Sequence, residues 1–293
     1  MSSRRVVVTG LGALTPIGNN VSGYWSGLLS GKSGAANITR FDAEKFRTRF
    51  AAEVKGYDPK DHFDRKELRK LDPFSQYALI TASEAVDNSG LLSDSLNYER
   101  VGVIWGSGIG GIQTFLDEVR GFVEGDGTPR FNPFFIPKMI IDIAAGHISM
   151  KYGFKGVNYA TVSACATSSH ALIEAYHNIK HDINDAIVTG GSEAAINEAA
   201  IGGFNAMRAL SERNDDPSTA SRPFDKDRDG FVLGEGAGSL ILEELEHAKA
   251  RGATIYAEVI GSGMTADAYH LTAPHPEGQG ATAVMTHALN EAD

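Results

Sequence analysis

Short apolar runs rich in β-branched residues alternate with longer helical patterns along almost the whole chain. In residues 166–181, Leu172, Ala175, Tyr176 and Ile179 recur at the spacing of one helix face. Alternation of this kind is typical of a parallel or mixed sheet covered by helices, so the sequence predicts an α/β fold. The predicted strands are residues 5–9, 101–105, 157–163, 185–189, 239–243 and 255–261. The predicted helices are residues 20–30, 72–89, 111–124, 136–152, 166–181 and 281–293, and residues 131–137 are predicted to form a loop.

Composition narrows the class of protein. The chain has 27 Lys and Arg residues against 37 Asp and Glu residues, a net charge of −10, which argues against a general nucleic-acid partner. A single cysteine excludes an internal disulfide. Apolar runs are far shorter than the roughly 18 residues of a membrane helix, and we expect no membrane insertion. We therefore expect a cytoplasmic protein.

The single cysteine, Cys165, lies between a predicted strand and a predicted helix. Exposed backbone N–H groups and the positive end of the helix dipole favour negative charge on a thiol placed there. A small buried cysteine is the alternative interpretation. The position predicts a nucleophile.

Two other patterns resemble ligand sites but lack the expected context. Residues 106–111 fit the spacing GxGxxG after a strand, yet the strand with an acidic end that should follow is replaced by a helix. This segment is interpreted as a glycine turn that a chain segment or a substrate approaches closely. His177 and His181 lie four residues apart, but no nearby cysteine or carboxylate completes a metal set, so no metal site is predicted.

The segment around Cys165 resembles the nucleophile loop of the β-ketoacyl-acyl carrier protein synthases, which are decarboxylating condensing enzymes of the thiolase-like superfamily. Asp267–Thr272 points to the elongating, type II group of these enzymes. The match continues in family order along the chain. The matching segments are residues 7–12, 106–111, 133–137, 145–147, 190–193, 202–204, 221–225 and 229–236.

This resemblance implies a thiolase-like fold of α-β-α-β-α layers made from two similar halves, in a homodimer. Residues 1–252 would form a complete N-terminal half that carries the nucleophile. Residues 253–293 would begin a C-terminal half that is mostly missing. The implied reaction is a decarboxylative Claisen condensation in fatty acid elongation, in which Cys165 takes the acyl chain from acyl carrier protein. No cofactor is implied beyond the phosphopantetheine of that carrier.

The chain departs from the family pattern at two histidines and a nearby lysine. The motifs Asn-Ala-His-Gly-Thr and Gly-Ser-Thr-Lys do not occur in its 293 residues. His270, His275 and His287 lie outside such motifs, so none of these roles is transferred to them. We expect the 293 residues to be a truncated form that is inactive in condensation.

Further site residues follow from the resemblance alone. Near the acyl channel, its gate and the phosphopantetheine arm, the matching positions are Gly108, Ile109, Phe135, Phe204, Phe231 and Thr272. Ordinary packing is the alternative for the apolar members. Residues 40–70 hold ten Lys and Arg against seven Asp and Glu, a local basic surface suited to an acidic carrier. The expected carrier-facing residues are Arg65, Lys66, Arg69, Lys70, Arg130 and Arg208.

Other functions remain open at this point. A ketosynthase of a polyketide pathway would share these motifs, and a thiolase or initiating synthase fits the glycine motifs less well. A non-catalytic partner such as a chain-length factor normally lacks the cysteine. An inactive fragment is the remaining alternative.

Overall fold

A computed structural model describes residues 4–293, and its central feature is a mixed six-stranded sheet between helices. The strands are β1 (Val6–Leu14), β2 (Ala36–Asn37), β3 (Phe50–Ala51), β4 (Val101–Gly106), β5 (Asn158–Thr161), β6 (Ala186–Glu193), β7 (Gly236–Glu244) and β8 (Ala257–Val259). The helices are α1 (Val21–Leu29), α2 (Arg65–Leu68), α3 (Pro73–Ser89), α4 (Ile112–Glu124), α5 (Phe135–Met139), α6 (Ile143–Tyr152), α7 (Thr167–Lys180), α8 (Glu198–Ala206), α9 (Leu245–Ala250) and α10 (Gln279–Ala292).

The large sheet has the strand order β5-β4-β6-β7-β1-β8. Strand β4 pairs in parallel with both β5 and β6, whereas β7 is antiparallel to β6 and β1, and β8 is antiparallel to β1. Strands β2 and β3 form a separate small hairpin. Since β4, β5 and β6 run the same way, the segments that follow them emerge at one edge of the sheet.

Each face of the sheet is covered by one long helix. On one face α3 packs its alanine stripe, including Ala78, Ala82 and Ala85, against a core that contains the fully buried Trp105. The Trp105 indole N–H also donates to Ser192 Oγ at 2.9 Å, which satisfies its only polar group. The other face is covered by α7, whose buried apolar side chains are Ala171, Ala175, Tyr176 and Ile179. The apolar face predicted for this helix is confirmed at Ala175, Tyr176 and Ile179.

Strand β1 is longer than predicted, since it continues through Gly10 and Gly12 to Leu14. A Cβ at Gly10 would lie 2.3 Å from the Ala85 carbonyl oxygen, and one at Gly12 would lie 1.9 Å from that of Thr81. Helix α3 therefore crosses β1 in direct backbone contact, which only glycine allows. The expectation that this strand ends at residue 9 was wrong.

A similar close approach occurs near residue 260, where the chain is irregular after β8. Cβ atoms at Gly261 and Gly263 would lie 2.3 Å from the Ala288 oxygen and 2.2 Å from the Val284 oxygen of α10. In both copies two glycines, two positions apart, face helix residues four positions apart. This repeat supports the expected relation between two similar halves. The boundary proposed at residue 252 falls between α9 and β8, although β8 still pairs with β1.

The prediction for residues 131–152 was partly wrong. Residues 131–134 are irregular as expected, but α5 begins at Phe135 and includes Pro137 in its first turn, where a missing N–H costs nothing. Residues 140–142 then separate α5 from α6, so residues 136–152 are not one helix. Within residues 4–293 no helix is long and apolar enough to cross a membrane.

Candidate active site at the ends of the parallel strands

Two loops and the last residue of a strand meet where the parallel strands end. The glycine loop (residues 106–111) follows β4, the nucleophile turn (residues 162–168) follows β5, and Glu193 ends β6. Gly106, the last residue of β4, is the partner of Gly191 in β6, so the glycine loop begins beside the last residues of β6. Crevices at the carboxyl ends of parallel strands are the usual ligand sites of α/β folds.

The nucleophile turn presents Cys165 to solvent. Ala164–Ala166 form a 3-10 turn directly before α7, and the thiol is free and exposed. Ala164 has φ 49°, a left-handed conformation that costs an alanine roughly 1–2 kcal/mol. Thr167 holds this conformation because its Oγ1 accepts the Ser163 N–H at 2.8 Å and its carbonyl accepts from Thr161 Oγ1 at 3.0 Å. The alternative interpretation of Cys165 as a small buried cysteine is wrong.

Two glycines let this turn lie directly on the sheet. A Cβ at Gly106 would be 2.6 Å from Thr167 Cγ2, and one at Gly191 would be 2.0 Å from Ser168 Oγ. Real Cβ atoms essentially never come so close, so a side chain at either position would force Thr167 or Ser168 to shift. Gly106 and Gly191 therefore determine how closely the nucleophile turn approaches the strand ends.

The glycine loop approaches the nucleophile turn and a carboxylate. A Cβ at Gly108 would be 2.9 Å from Glu193 Oε2 and 3.6 Å from the Ala164 carbonyl oxygen. Glu193 Oε2 accepts the N–H groups of Gly108 and Ile109 at 2.9 and 3.1 Å. Burial raises the pKa of Glu193, and these N–H donors oppose that rise. The interpretation of residues 106–111 as a turn closely approached by another chain segment is confirmed.

His170 contributes a contact that was not predicted. Its Nδ1 lies 2.6 Å from Ser163 Oγ, which ties the first turn of α7 to the residue before Ala164. His170 also lines a shallow cavity between α7 and α10, together with Ser169, Ile173 and Val284. Its position five residues after Cys165 gave no signal that distinguished it from a solvated helix histidine.

The predicted acyl-channel residues fall into three groups. Ile109 is exposed at the tip of the glycine loop. Phe204 of α8 and Phe231 pack edge to face with ring centroids 5.3 Å apart. Phe135 stacks on Phe131 at 5.6 Å, on the α4–α5 side. The channel assignment of these residues stays a prediction.

The residues predicted to contact the carrier are all exposed. Thr272, predicted to lie near the phosphopantetheine arm, is also exposed, in an irregular segment where its N–H donates to His270 Nδ1 at 3.1 Å. Lys70 lies over the Phe134 ring at 5.6 Å, and Arg130 approaches Asp126 at 3.8 Å. Arg208 has φ 53° just after α8. The other exposed residues of this set are Arg65, Lys66 and Arg69.

The surroundings of Cys165 are suited to nucleophilic chemistry. An exposed thiol at the start of a helix has backbone N–H groups beside it, which can stabilise a thiolate or an oxyanion. In the described chain, residues 4–293, no group of three His, Cys, Asp or Glu side chains is arranged to hold a metal ion. His177 instead contacts Ser262 at 3.2 Å.

Comparison with known proteins agrees with this geometry. Residues 3–248 match the model of the "Beta-ketoacyl synthase, N-terminal domain" family. The 3-oxoacyl-(acyl-carrier-protein) synthase 2 of Coxiella burnetii is 51% identical over 292 residues, covering 100% of this chain and 70% of that protein. The Synechocystis protein of the same name is 48% identical over 291 residues, covering 99% of this chain and 70% of that protein.

Solved structures give the same result at the level of the fold. A β-ketoacyl synthase from Burkholderia phymatum superposes with a TM-score of 0.88 at 35% identity, over 99% of this chain and 70% of its own. The ishigamide ketosynthase/chain length factor superposes with a TM-score of 0.89 at 33% identity and the same coverage. The thiolase-like α/β prediction is therefore confirmed, and the chain belongs to the β-ketoacyl synthase family.

Proposed function

We propose that this chain is a 3-oxoacyl-acyl carrier protein synthase, an acyltransferase of fatty acid elongation with Cys165 as its nucleophile. The observation that carries the proposal is the exposed thiol, held on a left-handed turn directly above the ends of β4 and β6. Relatives about half identical in sequence, and named for this activity, cover the whole chain.

The first half-reaction needs only this site and an acyl donor. The Cys165 thiolate attacks the carbonyl carbon of the acyl thioester on the carrier's phosphopantetheine. The resulting oxyanion is stabilised by backbone N–H donors, including that of Cys165 itself. Collapse expels the pantetheine thiolate, so one thioester replaces another and no oxidant is required.

The second half-reaction forms the carbon–carbon bond. Malonyl carrier loses CO₂, and its carbanion attacks the Cys165 thioester to give the 3-oxoacyl product and the free thiolate. The histidine motifs that assist decarboxylation in the family are absent from these 293 residues, so this step is assigned to none of them. Acylation of Cys165 is therefore the half-reaction to measure.

Intact mass spectrometry tests this proposal. Incubation with a fatty-acyl carrier protein is expected to add one acyl group, which peptide mapping places on Cys165. Cys165→Ala should give no adduct, and carrier protein without an acyl group is the matched control. An adduct on another residue, or none on the wild type, would contradict the assignment.

Acyl carrier protein is expected to dock on the basic residues Arg65, Lys66, Arg69 and Lys70. All four are exposed, and two of them lie in α2. A solved complex of a type II polyketide ketosynthase with its acyl-carrier protein superposes with a TM-score of 0.86 at 31% identity. Arg69→Glu should raise the KM for acyl carrier protein several-fold at low salt. The exposed Lys32→Glu should leave the KM unchanged.

A homodimer is the second part of the proposal. Strand β5 is an edge strand, and several apolar side chains between residues 115 and 140 are exposed. Exposed edges and apolar patches are typical of interfaces. Light scattering should give twice the 31.2 kDa mass of the chain, whereas a concentration-independent monomer would contradict this. The exposed apolar side chains between residues 115 and 140 that would lie in this interface are Phe115, Phe122, Phe131, Ile136 and Ile140.

A polyketide ketosynthase remains the second candidate, because two of the structures compared are ketosynthases with a chain length factor or a bound hexaketide. Acylation by straight-chain donors in preference to aromatic or branched ones would favour fatty acid elongation. The reverse preference would favour the polyketide function.

A further inference from the structure

The nucleophile turn is exposed, and little apolar packing holds its shape. Four of its residues are open to solvent: Val162, Ala164, Cys165 and Ala166. Ala164 nevertheless has φ 49°, a conformation that an alanine keeps only where neighbouring contacts impose it. Hydrogen bonds on the two sides of Ala164 therefore have to supply the restraint that packing does not.

Ser163 restrains the strand side of this turn with three hydrogen bonds. Its N–H donates to Thr167 Oγ1 at 2.8 Å, and its carbonyl accepts the Ala166 N–H at 3.1 Å. Its hydroxyl oxygen lies 2.6 Å from His170 Nδ1. The first two bonds stay within the nucleophile turn, whereas the third reaches the fourth residue of α7. Of the three, only the bond between Ser163 and His170 ties the strand side of the turn to the body of the helix.

The contact between these two side chains needs a ring nitrogen but no particular charge. With the imidazole proton on Nε2, His170 Nδ1 accepts the Ser163 O–H, and with the proton on Nδ1 the ring donates to Ser163 Oγ. In the part of the chain that the structure describes, neither the Ser163 hydroxyl nor the His170 ring has another hydrogen-bond partner. Loss of either side chain therefore leaves the other with water alone.

We propose that His170 is a positioning residue for acyl transfer, which holds Ser163 and thereby the left-handed turn that directs the Cys165 N–H toward the oxyanion. The N–H of Cys165 belongs to the planar peptide that follows Ala164, so any rotation of Ala164 turns this N–H away. The inference rests on the proposed function, since an oxyanion forms only when the thiolate attacks an acyl thioester.

Two reactions of the same thiol test the inference, because only one of them forms an oxyanion. His170→Ala should slow acylation of Cys165 by a fatty-acyl carrier protein about tenfold, an effect that the loss of one hydrogen bond can produce. Alkylation by iodoacetamide uses the thiolate but no oxyanion donor, so its rate should change by less than about twofold. A merely structural role would slow both reactions together and leave their ratio unchanged.

The variant His170→Asn is the conservative replacement, because its amide group lies close to the position of Nδ1. Its ratio of acylation to alkylation rates should lie between those of the wild type and His170→Ala. His170→Gln places its amide further from the helix and should resemble His170→Ala.

The partner side chain and a second histidine of the same helix complete the set. Ser163→Ala should slow acylation as much as His170→Ala, and the double variant should be no slower than either single one, because all three lack the same contact. His181→Ala is the matched control. His181 is exposed at the other end of α7 and its Nδ1 contacts the His177 carbonyl at 2.9 Å, so its loss should leave the ratio unchanged.

The outcomes are distinguishable. Equal slowing of acylation and alkylation by His170→Ala, or additive effects of the two single variants, would overturn the inference while the proposed function stands. Absence of acylation in the wild type, with alkylation intact, would overturn the proposed function and this inference with it. If His170→Ala does not fold, Ser163→Ala decides: a lower ratio of acylation to alkylation supports the inference, and an unchanged ratio refutes it.

Discussion

At the scale of single residues, the site depends on positions that have no side chain. Gly106 and Gly191 let Thr167 and Ser168 rest on the strand ends, and the turn then places Cys165 in solvent. The nucleophile was predictable from sequence because it is the only cysteine and lies between a strand and a helix. Its supports were not, because Thr167, His170 and Glu193 act through contacts that depend on the folded geometry.

Gly191→Ala is expected to slow acylation of Cys165 by at least tenfold and to destabilise the protein by about 1–3 kcal/mol, because the new methyl group overlaps Ser168. The measurements are acylation by intact mass and unfolding in urea. Gly238→Ala is the control, since Gly238 pairs with Gly191 in β7 and a Cβ there meets nothing within 4 Å. Similar losses in both variants would contradict this account.

A buried carboxylate, Glu243, links stability to pH. It accepts hydrogen bonds from Thr9, His247 and Arg251. Burial alone would raise the pKa of Glu243, but these donors outweigh it and lower the pKa to about 2. The hydrogen bond to Glu243 in turn raises the pKa of His247 above its usual 6.5.

The two pKa shifts predict that the protein loses stability at both acidic and alkaline pH. The Glu243 contribution, about 3 kcal/mol, is present above pH 4.5 and disappears as pH falls toward 2. The His247 contribution is complete below pH 6.5 and is lost as pH rises through its raised pKa. His247→Gln should therefore remove most of the fall in unfolding free energy between roughly pH 6 and pH 9. An unchanged slope in that variant would exclude His247 as the cause.

At the scale of elements, the ends of helices were predicted better than the ends of strands. Helix α3 was predicted as residues 72–89 and runs from Pro73 to Ser89, because Asp72 caps its start and Gly90, at φ 59°, ends it. These signals are local. The extension of β1 through Gly10 and Gly12 was missed because its cause is α3, about 70 residues away.

Gly12→Ala and Gly263→Ala are expected to destabilise the protein by at least about 1–3 kcal/mol each, since their methyl groups would meet helix carbonyls. Chemical denaturation measures both. Gly121→Ala, inside α4 with nothing within 4 Å, should instead stabilise by up to about 1 kcal/mol. A neutral Gly12→Ala would mean that α3 can move away from β1 at little cost.

At the scale of the whole molecule, residues 257–293 contact β1 and helix α7 at several points. Strand β8 pairs with β1, and Lys180 of α7 donates to Glu291 of α10 at 2.8 Å. Between β8 and α10, residues 264–278 contain no regular helix or strand. The layered fold was predictable from family motifs, but this arrangement was not, because it depends on pairs such as Lys180 and Glu291 that are distant in sequence.

Limited digestion with chymotrypsin should first cut after Phe224 and Leu271. These side chains are 101% and 94% exposed, and both lie in segments without helix or strand. Exposed irregular loops are the preferred sites of proteolysis. Mass spectrometry of the earliest fragments identifies the cuts. Early cleavage after the buried Phe74 or Tyr77 of α3 would instead indicate that this helix separates from the six-stranded sheet more readily than these loops are cut.

The burial of Trp105 gives the protein a natural optical reporter. Of its two tryptophans, Trp25 is 60% exposed, whereas Trp105 is fully enclosed and hydrogen-bonded to Ser192, the neighbour of Glu193. Acrylamide should quench Trp25 and spare Trp105, leaving a blue-shifted emission that comes from the strand ends alone. Arrival of an acyl chain beside Cys165 could then be followed by light, in real time, on the unlabelled protein.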